Sequence, residues 1–278
     1  VTGGYRYDRA DYSFSPSVPS TRGYHAHAGS LGATVAATHE LSAFARVSRS
    51  FRYPVLDEIF DFFGNTIDTT LVPQRSTEVE GGVRVESGRS QASASVFRSA
   101  TDDEIFFNPT GGPFGFGANE NLHAQANRTG FEAAASTLVR VVQVGGTISF
   151  TRTRIDGGVY DGQRMPGVPV RKGSILARVP VARGTTLGVE GVFTGARPFE
   201  GDFTGALGEQ DHYGVVNLKL THTRGRVRLS LDVKNLFDAD YSKQVEVLRG
   251  AGCQCVVMVG AYQGCGGFIR QARAAKWF

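Results

Sequence analysis

The segment Val227-Arg228-Leu229-Ser230-Leu231-Asp232-Val233-Lys234 alternates without a break. Val227, Leu229, Leu231 and Val233 fall on one face of an extended chain and Arg228, Ser230, Asp232 and Lys234 on the other. A helical period cannot sort these residues. The apolar set is purely aliphatic and the other carries full charges, so the segment reads as a strand between an apolar medium and water. The pattern recurs. Leu41, Ala43, Ala45 and Val47 oppose Ser42, Arg46 and Ser48; Thr77, Val79, Gly81, Val83 and Val85 oppose Glu78, Glu80, Arg84 and Glu86; Val216, Leu218 and Leu220 oppose Asn217, Lys219 and Thr221. One face suits lipid and the other water, which predicts an all-β chain forming an antiparallel up-and-down transmembrane β-barrel.

The same reading places strands at Val1–Phe14, His25–Ala37, Leu41–Phe51, Arg75–Glu86, Ser90–Phe107, Asn121–Leu138, Val141–Thr153, Val170–Val179, Thr185–Ala196, His212–Thr223, Arg226–Leu236 and Gly266–Phe278. That is about twelve, at or above the ~9–11 residues a tilted strand needs to span a bilayer. The 36 Gly, 19 Phe and 9 Tyr beside only 2 Met agree with strands and turns rather than helices. No apolar run approaches the ~18 residues of a spanning helix, and Leu138 to Val144 is already broken by Arg140 and Gln143. Short connections (Thr38–Glu40, Ser87–Arg89, Pro180–Gly184, Arg224-Gly225) alternate with long, Gly-rich ones (Tyr53–Gln74, Asn108–Glu120, Arg154–Pro169, Arg197–Asp211, Asp238–Cys265). Outer-membrane barrels have this asymmetry, with the long side extracellular. Tyr5, Tyr7, Phe51, Tyr53, Phe106, Phe107, Tyr241, Trp277 and Phe278 gather near strand ends, as interfacial girdles do, although core aromatics of a soluble sandwich would also fit.

The net charge of +4 is scattered, with no basic block or basic helical face, so a nucleic-acid partner is not expected. The chain starts at Val1 in a strand-like segment, without a charged n-region or apolar h-region, as expected of a processed chain or a fragment.

Four segments carry a family resemblance. Phe44-Ala45-Arg46-Val47-Ser48-Arg49-Ser50-Phe51-Arg52-Tyr53-Pro54-Val55-Leu56-Asp57-Glu58-Ile59-Phe60 resembles the SRGFRAPSLDELF segment of TonB-dependent outer-membrane receptors. Leu71-Val72-Pro73-Gln74-Arg75-Ser76-Thr77-Glu78-Val79-Glu80-Gly81-Gly82-Val83-Arg84, Asn127-Arg128-Thr129-Gly130-Phe131-Glu132 and Val233-Lys234-Asn235-Leu236-Phe237-Asp238-Ala239-Asp240-Tyr241 resemble three further motifs in the family's order. The resemblance implies the C-terminal part of a barrel of ~22 strands, with the plug and N-terminal strands outside residues 1–278. It further implies a Gram-negative outer membrane with lipid around the barrel and a TonB complex acting through the missing plug. The implied role is energised uptake of a scarce small-molecule ligand, most often an iron chelate such as a ferric siderophore. Without plug and TonB box, this chain alone is not expected to perform energised uptake.

Candidate ligand-binding residues are the guanidinium and aromatic groups of the long connections: Arg52, Tyr53, Tyr160, Arg164, Arg197, Phe199 and His212. Loop solubility explains each equally well. The charged set Arg46, Glu78, Glu80, Arg84, Arg178, Glu190, Lys219, Asp232 and Lys234 is expected to face the lumen, against a plug or wetting a pore. The terminal Phe278 resembles the aromatic end that barrels present for assembly, although the last strand has no properly apolar face.

Signals for chemistry are weak. His25 and His27 share a face without a third ligand, Cys253, Cys255 and Cys265 lack metal or redox spacing, and Asp102-Asp103-Glu104 lacks calcium-loop spacing. No Gly-x-Ser-x-Gly element is present, so neither cofactor nor catalytic activity is expected. Two other readings stay open: a self-contained passive pore of about twelve strands, and a barrel-borne hydrolase.

Overall fold

The computed structural model describes residues 1–13, 21–61, 66–68, 70–108, 111–112, 115 and 117–239. Eleven long strands make up most of it: β1 (Thr2–Ser13), β2 (Thr21–Ala36), β3 (Leu41–Arg52), β4 (Gln74–Ser87), β5 (Ser90–Asp102), β6 (Gln125–Val139), β7 (Val142–Asp156), β8 (Arg171–Ala182), β9 (Thr185–Thr194), β10 (Tyr213–Arg224) and β11 (Val227–Val233). They form one antiparallel sheet in which each strand pairs with its neighbours in sequence. Among the described residues β1 pairs only with β2 and β11 only with β10, so this sheet is open at both edges. The twelfth expected strand, Gly266–Phe278, lies outside the described residues, as do Phe278 and the three cysteines. The only helix among the described residues is the single turn Leu56–Ile59.

Register turns the sequence alternation into two continuous faces. One row runs Val35, Ala43, Val83, Ala94, Ala133, Ile148, Gly173, Phe193 across eight strands, and a neighbouring row runs Ala33, Ala45, Gly81, Val96, Phe131, Phe150. These side chains are not covered by protein: Val35 is 66% exposed, Val96 61%, Ile175 72% and Leu229 64%. An apolar face this open is the pattern of the exterior of a transmembrane barrel. The opposite face is polar, with rows such as Arg46, Glu80 and Glu132, Ser149, Lys172.

Most buried apolar side chains lie at one end of the sheet. Tyr24, Ile59 and Ile67 form one cluster; Leu122, Ala126, Ile155, Met165 and Phe203 form another. Both sit at the end where the connections are long (53–73, 103–124, 157–170, 195–212), while the other end carries the tight turns Gly88-Arg89, Arg140-Val141, Arg183-Gly184 and Gly225-Arg226.

Several expected boundaries shift for local reasons. The expected strand Ser90–Phe107 ends at Asp102, because Asp103 adopts a left-handed conformation (φ 57°) and redirects the chain. Ile105–Asn108 then pairs with Ala118–Asn121 as a separate hairpin, so the next long strand starts at Gln125 rather than Asn121. The expected strand Arg226–Leu236 ends at Val233, and Asn235 (φ 51°) opens a turn closed by Asp238 N–H on Asn235 O (2.9 Å). Strand β2 begins four residues before the expected His25, at Thr21, which pairs with Ser13.

Candidate functional site

The long connections pack into a tier along one rim of the sheet. Its first part is built by the segment Arg52 to Pro73. Arg52 Nη1 donates to both carboxylate oxygens of Glu58 (2.9 and 2.8 Å), and Glu58 Oε2 also accepts Val55 N–H (2.8 Å) at the start of the helical turn. Ile59 and Leu71 are fully buried, and Leu71 O accepts from Tyr24 Oη (3.1 Å) and Arg22 Nη2 (3.2 Å) on β2. Tyr53 stacks on Tyr24 (ring centres 5.8 Å apart) and donates to Asp8 O (2.9 Å). Burial first, then the neighbouring Asp8, pushes the Tyr53 phenol above its ordinary pKa, so it stays a neutral donor.

Asn121 joins this segment to the next. Its Oδ1 accepts Val72 N–H (2.8 Å), and its Nδ2 donates to Val72 O (3.0 Å) and Asp103 O (2.7 Å). The hairpin that ends at Asn121 reaches the third and fourth connections through aromatic contacts: Phe106 and Phe203 meet in a T-shaped arrangement (ring centres 4.6 Å apart), and Phe203 stacks on Tyr160 (4.7 Å). Arg164 pairs with Glu209, and Gly167 N–H donates to Pro198 O (3.0 Å). Asp202 closes the 201–208 turn. Burial opposes its ionisation, but hydrogen bonds from Leu207 N–H (2.7 Å), Thr204 Oγ1 (3.0 Å) and Ala206 N–H (3.0 Å) outweigh it and hold the carboxyl below the usual range.

The seven loop candidates therefore fall into two groups. Arg52 and Tyr53 belong to the part over β1–β3, bonded as above. Tyr160, Arg164, Arg197, Phe199 and His212 belong to the connections flanking β8–β10; Arg197 lies over the Tyr213 ring (5.6 Å), Phe199 is buried, and His212 is exposed beside Phe193 (6.0 Å). Sequence reasoning gave Asn121 and Phe203 no role, read Phe106 only as a girdle aromatic and Glu104 only as part of an acidic cluster, and did not foresee the pair Arg128–Glu104 (2.8 and 2.5 Å); these groups hold the tier together. The Arg128 contact had a signal, since Arg128 stands in the third motif. Exposed apolar side chains remain on the tier: Phe107 (54%), Val159 (91%) and Leu207 (52%).

Most of the charged set lies on the polar face as paired or hydrogen-bonded groups. Arg46 contacts Glu78 (2.8 Å) and Glu80 (3.1 Å), Lys219 contacts Asp232 (2.9 Å), Glu190 accepts from Asn217 (3.1 Å), and Arg178 donates to Gln143 (3.4 Å). Arg84 lies over the Phe44 ring at 5.8 Å, and Lys234 lines a depression shared with Arg178, Glu190, Lys219 and Asp232. The weaker motifs have local partners too. His27 Nδ1 bonds Tyr5 Oη (2.6 Å), Asp102 accepts from Gln125 (3.0 Å), and Glu104 is held by Arg128. No group of three or more metal-ligating side chains occurs among the described residues.

Comparison with known proteins agrees with this architecture. The family model "TonB dependent receptor-like, beta-barrel" matches residues 1–236. No curated protein matches. Among solved structures, the copper transporter OprC is similar at TM-score 0.65 and 20% identity over 86% of this chain and 40% of that one. The ferric yersiniabactin uptake receptor FyuA from Yersinia pestis is similar at 0.61 and 19% (85% and 38%), and the ferric-catecholate import receptor Fiu from E. coli K12 at 0.58 and 18% (86% and 38%). The chain thus spans about two fifths of these receptors' lengths. At these identities the likeness shows the fold, while the family match, the two-faced sheet and the loop tier agree: this chain belongs to the TonB-dependent receptor β-barrel family.

Proposed function

We propose that this chain is the C-terminal part of the barrel of an outer-membrane receptor for energised uptake of a scarce nutrient, a ferric siderophore being the best-supported cargo. The observation that carries this reading is the packed loop tier on one rim of a sheet with an apolar and a polar face. Such a tier holds guanidinium groups, aromatic faces and exposed apolar side chains on a rigid scaffold, the combination that recognises an anionic, partly aromatic chelate. Two solved relatives named for ferric chelates favour iron over the copper in the name of the third. In this reading the polar face, including Arg46, Glu78, Glu80, Arg84, Arg178, Glu190, Lys219, Asp232 and Lys234, lines the lumen. A plug and further strands of the intact receptor complete the barrel, and the TonB complex acts through that plug. A passive pore requires β1 to pair with the final strand; among the described residues neither edge of the sheet is closed.

The test is uptake of labelled ferric catecholates, ferric hydroxamates and copper by cells carrying the intact receptor, with and without a functional TonB complex. Energy-dependent uptake of one iron chelate is expected. Solute entry that persists unchanged without TonB would instead establish the pore. Y160F and H212N test the capture surface: the first keeps the ring that stacks on Phe203 and removes only the hydroxyl, so a loss of affinity reports ligand contact rather than loop collapse.

A further inference from the structure

Two of the tight turns meet at the short-turn rim. Arg183-Gly184 joins β8 to β9 and Gly225-Arg226 joins β10 to β11, and Thr223 N–H donates to Gly184 O (2.7 Å). Gly184 makes this approach possible: it takes a left-handed conformation (φ 74°), and a Cβ there would lie 2.4 Å from Thr223 O. The contact gathers Arg183, Arg224 and Arg226, all exposed, at one corner of the sheet. None of the three has an ion pair or side-chain hydrogen bond among the described residues. The two acids of these four strands, Glu190 and Asp232, lie on the opposite, polar face, where Asn217 and Lys219 hold them.

The surface beside this corner is aliphatic. Register sets Arg224 opposite Val227 and places Thr185, His222 and Leu229 in the next row, then Val179, Leu187, Leu220 and Leu231, then Ala177, Val189, Leu218 and Val233. His222 Nδ1 bonds Thr185 Oγ1 (2.8 Å), which pairs the polar side chains of the first of these rows. Arg183 and Arg226 stand two residues or fewer beyond the exposed Val181 and Val227. In a tilted strand that is roughly 5 Å along the membrane normal. The head-group layer is about 5–8 Å deep on each side of the hydrocarbon, so the three guanidinium groups fall at phosphate depth. A guanidinium fork binds phosphate bidentately, and the aliphatic rows accept acyl chains. Three uncompensated positive charges exceed what one phosphodiester neutralises, so charge complementarity favours a head group with two.

We propose that the corner formed by Arg183, Arg224 and Arg226 is a binding site for a phospholipid carrying two phosphodiester groups, in the leaflet on the short-turn side. The occupant is a lipid rather than a soluble anion, because the corner is continuous with the aliphatic rows and the sheet separates those rows from the polar face. Arg89 and Arg140 mark the contrast. Their turns also meet, through Leu138 N–H on Arg89 O (3.3 Å), but the row beside them is Ser87, Ser90 and Thr137, with the last two hydrogen-bonded to each other (2.7 Å). The inference rests on the outer-membrane barrel reading given above.

The test uses the intact receptor reconstituted into zwitterionic phospholipid vesicles doped with a two-phosphodiester lipid and, at equal charge, a one-phosphodiester lipid, with retained lipid quantified by native mass spectrometry. The wild type should retain the two-phosphodiester lipid preferentially. R183Q/R224Q/R226Q should weaken its retention by about five-fold per arginine removed, while R89Q/R140Q, which removes charge from the same rim, should leave it unchanged. If the triple variant misfolds, R226Q alone, which changes a turn residue outside any strand, should weaken retention about five-fold. No preference in the wild type, unchanged retention in a folded corner variant, an equal loss per arginine in R89Q/R140Q, or displacement of the lipid by inorganic phosphate would overturn the proposal. Folding is read separately, as heat-modifiable gel mobility. Failure of the wild type to fold into the vesicles would overturn the barrel reading, and the corner site with it.

Discussion

Asn121 is the side chain on which the loop tier most visibly depends, and N121A tests that directly. It is 7% exposed and makes three hydrogen bonds to backbone groups, two on Val72 and one on Asp103. Removing it leaves Val72 N–H, Val72 O and Asp103 O without those partners. At ~1 kcal/mol net per bond the loss is about 3 kcal/mol. Val72 itself is 37% exposed, so water recovers part of this, giving about 2–3 kcal/mol. That corresponds to a local opening equilibrium roughly 30- to 150-fold more favourable.

The assay is amide hydrogen exchange by mass spectrometry on the intact receptor, read on peptides covering 66–75 and 103–125. Exchange there should accelerate by that factor while peptides from the middle of β4, β5 and β6 stay unchanged, because the tier opens without unpairing the sheet. The reasoning fails if those strands accelerate equally, or if the loop peptides do not change at all. N121D sharpens the test. Its carboxylate keeps the acceptor for Val72 N–H but faces two carbonyl oxygens where an amide donated. At neutral pH it should open at least as readily as N121A, and it should recover part of the loss at acidic pH, once a proton lets it donate again.

Three further perturbations follow from the same geometry. The Asp202 carboxyl is held below its ordinary pKa, so its contribution is complete above the unfolded-state value and lost as pH falls through the lower folded one; proteolytic nicking at 201–208 should rise over that acidic window, and D202A should abolish the pH dependence. In G130A the new Cβ would lie 2.5 Å from two Phe97 ring carbons and 2.7 Å from Phe150 O, costing about 1–3 kcal/mol in urea unfolding, with F97L restoring only part because the carbonyl cannot move away. F203A removes the ring between Phe106 and Tyr160; the loss should approach ~3 kcal/mol and appear as joint protease sensitivity of 157–170 and 195–212, whereas sensitivity confined to one segment would contradict the shared core.

The long strands were legible because their determinant is local: alternation in a two-faced sheet is visible one residue at a time, and Leu41 to Val47 or Val227 to Val233 needs no knowledge of the neighbouring strand. The loop architecture was not legible for the opposite reason. The break after Asp102 depends on a left-handed Asp103 and on Asn121, 18 residues away, which accepts and donates nothing that periodicity can reveal. The motifs stand between these cases. Glu58 and Arg52 could be named as parts of a family segment, but that their ion pair builds a turn under which Ile59 is buried emerges only from the structure. The same holds for Asn235, which ends β11 in a left-handed turn and binds Ala239 through both side-chain atoms (3.0 Å each).

The distribution of burial also bears on how such a rim can work. In a soluble sheet protein the packed core lies between layers and the loops cover its ends. Here the apolar sheet face is left uncovered by protein, and the deepest burial sits on the rim, in Ile59, Leu71, Ile155 and Phe203. Arg52, Tyr53, Tyr160 and Arg164 thereby serve first as struts, each with a partner in another segment or another part of its own. On the proposed reading of the rim as a capture surface, bracing of this kind means that little conformational freedom is lost on binding, which favours tight capture of a dilute solute. It also means that the charges and aromatics counted from sequence overstate what is free to touch the ligand. On the proposed reading, that contact falls to His212 and the exposed Phe107, Val159 and Leu207.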